Sequence, residues 1–290
     1  MNHRNTIRVT DCEILDHIPY DGNQFVIRLH APEIAGLAKP GSFVHIQTNS
    51  QLPMRRPISI LRANTETGWI ELMYRVFGEG TLLLSQRNKG EKISILGPIG
   101  NPFVLHENRP RPLLLGGGIG MPPMIYLADE CRKFNGQLNP MVMIGSEVPF
   151  PFTLRPSHIM IPGMPDGVIA SMPLLEDWQI PCRLTSLQGY PGCFDGYITD
   201  LARNWLDALA DEQRQEVEIF SCGPHPMLEA VAKLANDYRL PCQVSLEELM
   251  ACAVGGCAGC TVKVMTEDGP AMKRVCVDGP VFDARSVFLN

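Results

Sequence analysis

The stretch Cys252-Ala253-Val254-Gly255-Gly256-Cys257-Ala258-Gly259-Cys260 holds three thiols in a C-x4-C-x2-C pattern, and a fourth follows at Cys276. Thiolates are soft ligands suited to zinc or iron–sulfur chemistry. This is the plant-type spacing for a [2Fe–2S] centre held by four cysteines. Three sulfurs turning inward from one short loop require a backbone that passes close to the metal. Gly255, Gly256 and Gly259, with the small Ala253 and Ala258, permit that approach. A structural zinc site pairs one C-x2-C with another, and only one such pair occurs here. Ten cysteines in 290 residues are also too sparse for a disulfide scaffold. Cys12, Cys131, Cys182, Cys193, Cys222 and Cys242 lie mostly in apolar company and read as small buried hydrophobes.

Five other stretches carry candidate chemistry. Arg56-Pro57-Ile58-Ser59 offers a guanidinium that forks onto phosphate, and alone it reads equally as a surface turn. In Tyr74-Arg75-Val76-Phe77-Gly78-Glu79-Gly80-Thr81 a strand ends in two glycines before Thr81 opens a helix, either as an anion site or as a simple cap. Gly97-Pro98-Ile99-Gly100-Asn101 is an ordinary turn or a place where a planar ring approaches the backbone. Leu115-Gly116-Gly117-Gly118-Ile119-Gly120-Met121-Pro122-Pro123 is a glycine-rich strand-to-helix turn. It only approximates G-x-G-x-x-G, yet it suits a pyrophosphate at a helix start. Phe220-Ser221-Cys222-Gly223-Pro224-His225 ends a strand where α/β sheets bind ligands, with a buried structural thiol as the plain alternative for Cys222. No carboxylate pair, Ser/His/Asp set or histidine metal cluster is evident, so no catalytic residue is assigned. Such a chain leaves hydride and electron chemistry to cofactors.

The elements that must position these residues fall into two textures. Up to about residue 106, short alternating runs (Ile7–Thr10, Phe25–Leu29, Phe43–Gln47, Ile58–Leu61, Trp69–Tyr74, Lys92–Leu96) are separated by turn signals, which predicts a small antiparallel barrel. One helical interruption covers Thr81–Gln86. Beyond it, the apolar runs Leu113–Leu115, Met141–Ile144 and Val217–Phe220 alternate with helical stretches at Met124–Phe134, Thr199–Leu209 and Met227–Tyr238, which predicts parallel β/α units. The expected division is a barrel over 1–106, a nucleotide-binding α/β domain over 107–240 and a cluster subdomain over 241–290. Residues 149–191 hold eight prolines among many apolar residues, which predicts an ordered, irregular insertion with a strand at Val168–Ser171. A net charge of −6 argues against nucleic acid as a partner. The longest apolar run, Pro112–Ala128, is broken by glycines and prolines and cannot span a membrane. No secretory signal is visible at Met1–Asn5, so a reducing, cytoplasmic setting is expected.

Taken in order, these motifs resemble the ferredoxin-reductase-like superfamily. Ser245-Leu246-Glu247-Glu248-Leu249-Met250-Ala251-Cys252, Cys276-Val277-Asp278-Gly279-Pro280-Val281-Phe282 and Arg55-Arg56-Pro57-Ile58-Ser59-Ile60 narrow this, over nearly the whole chain, to the electron-transfer subunits of dihydroorotate dehydrogenases. The resemblance implies an FAD-binding barrel, a parallel-sheet NAD-binding domain and a small [2Fe–2S] subdomain. By it, Arg56, Pro57, Ile58 and Ser59 hold the FAD ring and diphosphate. Met73, Tyr74 and Arg75 contact the flavin or its ribityl chain, and Gly80 and Thr81 its diphosphate. Gly116, Gly117, Gly118 and Gly120, with Cys222, Gly223 and Pro224, receive the nicotinamide cofactor. Cys252, Cys257, Cys260 and Cys276 ligate the cluster. The implied partner is an FMN-containing catalytic dehydrogenase subunit in a hetero-oligomer, a heterotetramer in the family. Electrons from dihydroorotate oxidation in pyrimidine biosynthesis pass through the cluster and FAD to NAD. Similar subunits occur in sulfide dehydrogenases and NAD(P)H–ferredoxin oxidoreductases, and a metal-sensing or assembly module is the reading from another class.

The chain departs from the family pattern at Ala253 and Leu249, where a glycine and a basic residue are expected, and in the length of 149–191. Glu147 follows the second strand of the β/α domain, and no arginine appears before Arg155. An acidic residue there favours a free ribose hydroxyl, hence NAD over NADP.

Overall fold

The computed structural model describes residues 7–289. Strands β1 (Arg8–Tyr20), β2 (Gln24–His30), β3 (Phe43–Ile46), β4 (Arg56–Asn64), β5 (Trp69–Arg75) and β6 (Lys92–Ile99) form a closed antiparallel barrel in the order β1-β2-β5-β4-β3-β6. Helix α1 (Pro32–Leu37) follows β2, and α2 (Glu79–Ser85) is the expected interruption before β6. Alternation sends Ile27, Leu29, Val44, Ile46, Ile70 and Leu72 inward, and all are fully buried. β1 extends well past the short run seen in the sequence. A bulge between Ile14 and Asp16 bends it, so that its first half pairs with β6 and its second half with β2.

After the barrel come β7 (Arg111–Gly117), α3 (Met121–Arg132), β8 (Met141–Gly145), the two-residue β9 (Arg155–Pro156) and β10 (Ala170–Ser171), and α4 (Pro173–Asp177). Then follow β11 (Cys182–Thr185), α5 (Ile198–Ala208), α6 (Asp211–Gln215), β12 (Val217–Cys222), α7 (His225–Asp237) and β13 (Cys242–Ser245). Hairpin β14 (Thr261–Thr266) and β15 (Gly269–Arg274) precedes β16 (Val281–Asp283) and α8 (Ala284–Phe288). The second sheet runs β11-β8-β7-β12-β13-β16, and its pairings from β11 to β13 are parallel. Leu113–Leu115 and Met141–Ile144 are buried throughout, as strands covered on both faces must be. Strand order reverses at β7, which places the sheet's crevice between the ends of β7 and β12.

The described chain divides into two compact units. One runs to Pro102 and takes up Leu246–Val281. The other comprises Phe103–Ser245 and the segment from Phe282. Residues 241–290 are thus shared out: Cys242–Ser245 is a strand of the parallel sheet, while the cysteine loop and its hairpin pack with the barrel. Among the described residues, no helix is long and apolar enough to cross a membrane.

The proline-rich segment is ordered by two buried charged residues. Arg183, in the middle of β11, donates to the carbonyls of Val168 (3.0 Å), Cys182 (2.7 Å) and Ile159 (2.7 Å). Glu176 accepts from the Ser157 hydroxyl (2.9 Å) and the His158 amide (2.7 Å). Burial alone would raise the Glu176 carboxyl. The His158 amide and Ser157 hydroxyl outweigh it and hold the group below its ordinary value. A depressed carboxyl adds stability that is present above the ordinary value and fades as pH falls through the folded value. Glu176→Gln is therefore expected to cost about 1–2 kcal/mol at neutral pH in urea unfolding, and the gap to wild type should close as pH drops through the carboxylate range.

Candidate functional site

The cysteine loop is built from residues that tolerate a left-handed backbone. Ala253 (φ 55°), Gly255 (φ 81°) and Ala258 (φ 56°) turn the chain repeatedly. Ala253 adopts that conformation at a cost of about 1 kcal/mol. Each turn aims amides at sulfur. The Cys257 amide donates to Cys252 Sγ at 3.4 Å, and the Gly259 amide to Cys257 Sγ at 3.4 Å. Cys260 and Cys276 are buried, with their sulfurs 3.3 Å apart. Hairpin β14–β15 returns the chain, and Val275 N donates to Cys260 O at 2.9 Å, which seats Cys276 beside its partner. Arg274, which nothing in the motif announced, braces this return. Its Nη1 donates to Gly255 O (3.1 Å) and its backbone N to Asp278 Oδ2 (2.7 Å).

Among the described residues, no three His, Cys, Asp or Glu side chains close on one point as ligands of a single ion would. The Cys260 and Cys276 sulfurs instead sit side by side, while Cys252 is faced by the amide and the side chain of Cys257. A two-iron centre shares its four ligands two to each iron, so this arrangement fits that group. Burial opposes ionisation of Cys252, but the amides of Val254, Cys257 and Gly256 outweigh it and bring the thiol down to about 7. Burial, and then the Cys260 sulfur, push Cys276 up to about 12.

The cysteine module is fastened to the end of β6. Asn101 N donates to Gly279 O at 2.6 Å, and its Nδ2 donates to Asp278 O at 2.9 Å. A Cβ on Gly100 (φ 98°) would lie 2.3 Å from Pro280 Cδ. What approaches the backbone at Gly97–Asn101 is therefore the chain's own Pro280.

On the barrel, Arg56 lies against the first turn of α2. A Cβ on Gly80 would stand 2.6 Å from Arg56 Nε. Arg56 Nη1 donates to the Met54 (2.8 Å) and Arg55 (3.2 Å) carbonyls, and among the described residues no carboxylate pairs with it. A guanidinium so placed fits a diphosphate. Pro57 and Ser59 are half-buried, and Ile58 is buried. The Thr81 hydroxyl is committed to its turn, accepting from the Phe77 amide (2.9 Å) and donating to Gly78 O (3.1 Å). Met73 and Tyr74 are buried, and Arg75 is exposed. Tyr74 stacks on Phe25 at 5.5 Å and its hydroxyl lies 2.8 Å from His17 Nε2. His17 Nδ1 lies 2.8 Å from the Arg87 carbonyl, so a neutral ring donates there and accepts from Tyr74.

In the other unit, Gly116 and Gly117 end β7, Gly118–Gly120 form one 3₁₀ turn and α3 begins at Met121, with Pro122 and Pro123 in its first turn. Gly116 pairs with Cys222 on β12. A Cβ on Gly120 would stand 2.4 Å from the Cys222 carbonyl and 2.5 Å from Gly223 N. The fold thus gathers Gly116–Gly120 and Cys222–Pro224 at the carboxyl ends of β7 and β12, where such sheets bind nucleotides. Glu147 is exposed just past β8.

Residues 247–288 match the family described as "Iron-sulfur cluster binding domain of dihydroorotate dehydrogenase B". The chain is 31% identical to the "Dihydroorotate dehydrogenase B (NAD(+)), electron transfer subunit" of Desulforamulus reducens, over 97% of this chain and 98% of that protein. The protein of the same description from Geobacillus sp. is 32% identical over 95% and 97%. Among solved structures, the chain is similar to an NADH-dependent reduced ferredoxin-NADP oxidoreductase (TM-score 0.76, 25% identity, 96% of this chain and 90% of that one). Phthalate dioxygenase reductase shares the fold at TM-score 0.58 and 12% identity, over 92% and 76%.

Two outcomes follow. In the metal-free chain, iodoacetamide at neutral pH should label Cys252 well ahead of Cys276, as peptide mass spectrometry would read. Gly120→Ala should destabilise the parallel-sheet unit by about 1–3 kcal/mol through overpacking and weaken nicotinamide-nucleotide binding, measurable by thermal shift with and without NADH.

Proposed function

Because this chain belongs to the family of electron-transfer subunits of NAD⁺-dependent dihydroorotate dehydrogenase B, we propose specific places in its fold for FAD, the [2Fe–2S] cluster and NAD(H). It is an oxidoreductase component and works beside a catalytic subunit. When bound, FAD exchanges a two-electron hydride with NAD(H) and single electrons with the cluster. The partner is an FMN-containing dehydrogenase in a hetero-oligomer, and the setting is the cytoplasm.

Arg56, on strand β4, neutralises the FAD diphosphate above Gly80, and the turn held by Thr81 keeps that surface open. Pro57, Ile58 and Ser59 form the strand against which the ring lies, with Met73, Tyr74 and Arg75 beside the ribityl chain. Gly116, Gly117, Gly118 and Gly120 let the NAD pyrophosphate approach α3, and Cys222, Gly223 and Pro224 face the same crevice. Exposed Glu147 suits a free ribose hydroxyl and hence NAD. Cys252 and Cys257 take one iron, and Cys260 and Cys276 the other. The observation that supports this reading is the adjacency of the Cys260 and Cys276 sulfurs beside the amide-lined Cys252 turn, within the same compact unit as the Arg56 strand.

Anaerobic reconstitution with FAD, iron and sulfide tests it. The loaded chain should show flavin and iron–sulfur absorption and an EPR signal after dithionite, and should oxidise NADH with an artificial acceptor. Cys276→Ala should lose iron yet keep FAD. Iron content equal to wild type in that variant counts against the assignment.

A further inference from the structure

His45 occupies the middle of β3, opposite Pro57 of β4 and Leu96 of β6. Its neighbours Val44 and Ile46 fill the barrel, so alternation puts His45 on the outer face. It is nevertheless only 1% exposed, and among the described residues neither ring nitrogen has a partner within hydrogen-bonding geometry. Two backbone carbonyls lie near the ring. One is Arg55, next to the Arg56–Ser59 strand, and the other is Met250, two residues before Cys252. Burial, and then Arg55 and Arg56, push the imidazole below its ordinary value, so it carries one N–H and one bare nitrogen. Arg55 also holds the His45 carbonyl (3.2 Å), and it bonds Ser94 O (2.9 Å) and Ser94 Oγ (2.9 Å) on β6, which fixes the backbone on which the ring turns. A buried donor without an acceptor calls for a role.

The geometry points to His45 as a positioning residue for electron transfer: its ring N–H donates to the Met250 carbonyl in the loaded protein and fixes the cysteine loop against the strand that carries Arg56–Ser59. This rests on the placement of FAD and the cluster given above. It adds that their mutual geometry is set by one side chain that touches neither.

The full-length chain is compared with His45→Phe, which keeps a flat ring without a polar atom, and His45→Gln, which keeps a donor. Amide exchange over 247–252 is measured with and without reconstitution, together with the rate at which electrons from NADH reach the cluster. In H45F the loop should lose the protection that loading confers on wild type, and electron arrival at the cluster should slow about 10–100-fold. H45Q should recover most of both. If H45F matches wild type in loop protection and rate, or if H45Q is as defective as H45F, the proposal is overturned. Should H45F fail to fold, ring ¹⁵N shifts of His45 in the loaded wild type decide: a hydrogen-bonded N–H supports it, and two unbonded nitrogens overturn it. A wild-type chain that holds neither iron nor FAD overturns the functional reading and this inference with it.

Discussion

Asn101 fastens the last part of the first unit to its beginning. One backbone amide and one carboxamide donate to the carbonyls of Gly279 and Asp278, and Gly100 has no Cβ to keep Pro280 away. Everything proposed for electron transfer depends on this seam. An electron carrier is useful only at a reproducible spacing from its donor, and a loop tethered by sequence alone would not supply one. The seam makes the cysteine module part of the barrel's packing. Leu246 N, bonded to Pro280 O at 2.9 Å, closes the module's neck from the other side.

Within the module, the same economy recurs. The backbone turns by left-handed residues, and those turns expose amides that bring the Cys252 thiol down from its ordinary value. Arg274 and Asp278 then hold the return strand so that Cys276 meets Cys260. Ala253 and Ala258 show that glycine is not obligatory at these turns, although alanine there carries strain that glycine would not.

The fold class and the motif-bearing turns were legible in the sequence because each rests on a local pattern. Short alternating runs gave the barrel, continuous apolar runs gave the buried parallel strands, and cysteine spacing gave the loop. The helices α3, α5 and α7 begin within a few residues of where periodicity places them. What stayed hidden depends on long-range partners. β11 carries Arg183 in its centre, and that residue is accommodated in a buried strand because two distant carbonyls, of Val168 and Ile159, and that of its neighbour Cys182 receive it. β9 and β10 have two residues each and no period to detect. His45 is invisible for the same reason: as one polar residue in an alternating strand it reads as solvent-facing, until a segment two hundred residues later covers it. The division of 241–290 between two units likewise has no compositional mark, since Ser245 and Leu246 differ only in what they pack against.

The main part of the second unit, Phe103–Ser245, interrupts the first, whose closing piece is Leu246–Val281, and the second unit ends with the segment from Phe282. Ribosomes deliver a chain from its amino end at roughly 5–20 residues per second. The barrel strands therefore emerge well before the segment that shields the outer face of β3. During that interval the nascent barrel presents an uncovered patch around His45 while β7 to β13 emerge. The cysteine module is thus delivered after every strand of the barrel and after β7 to β13, and the parallel sheet receives its last strand, β16, only once that module has emerged.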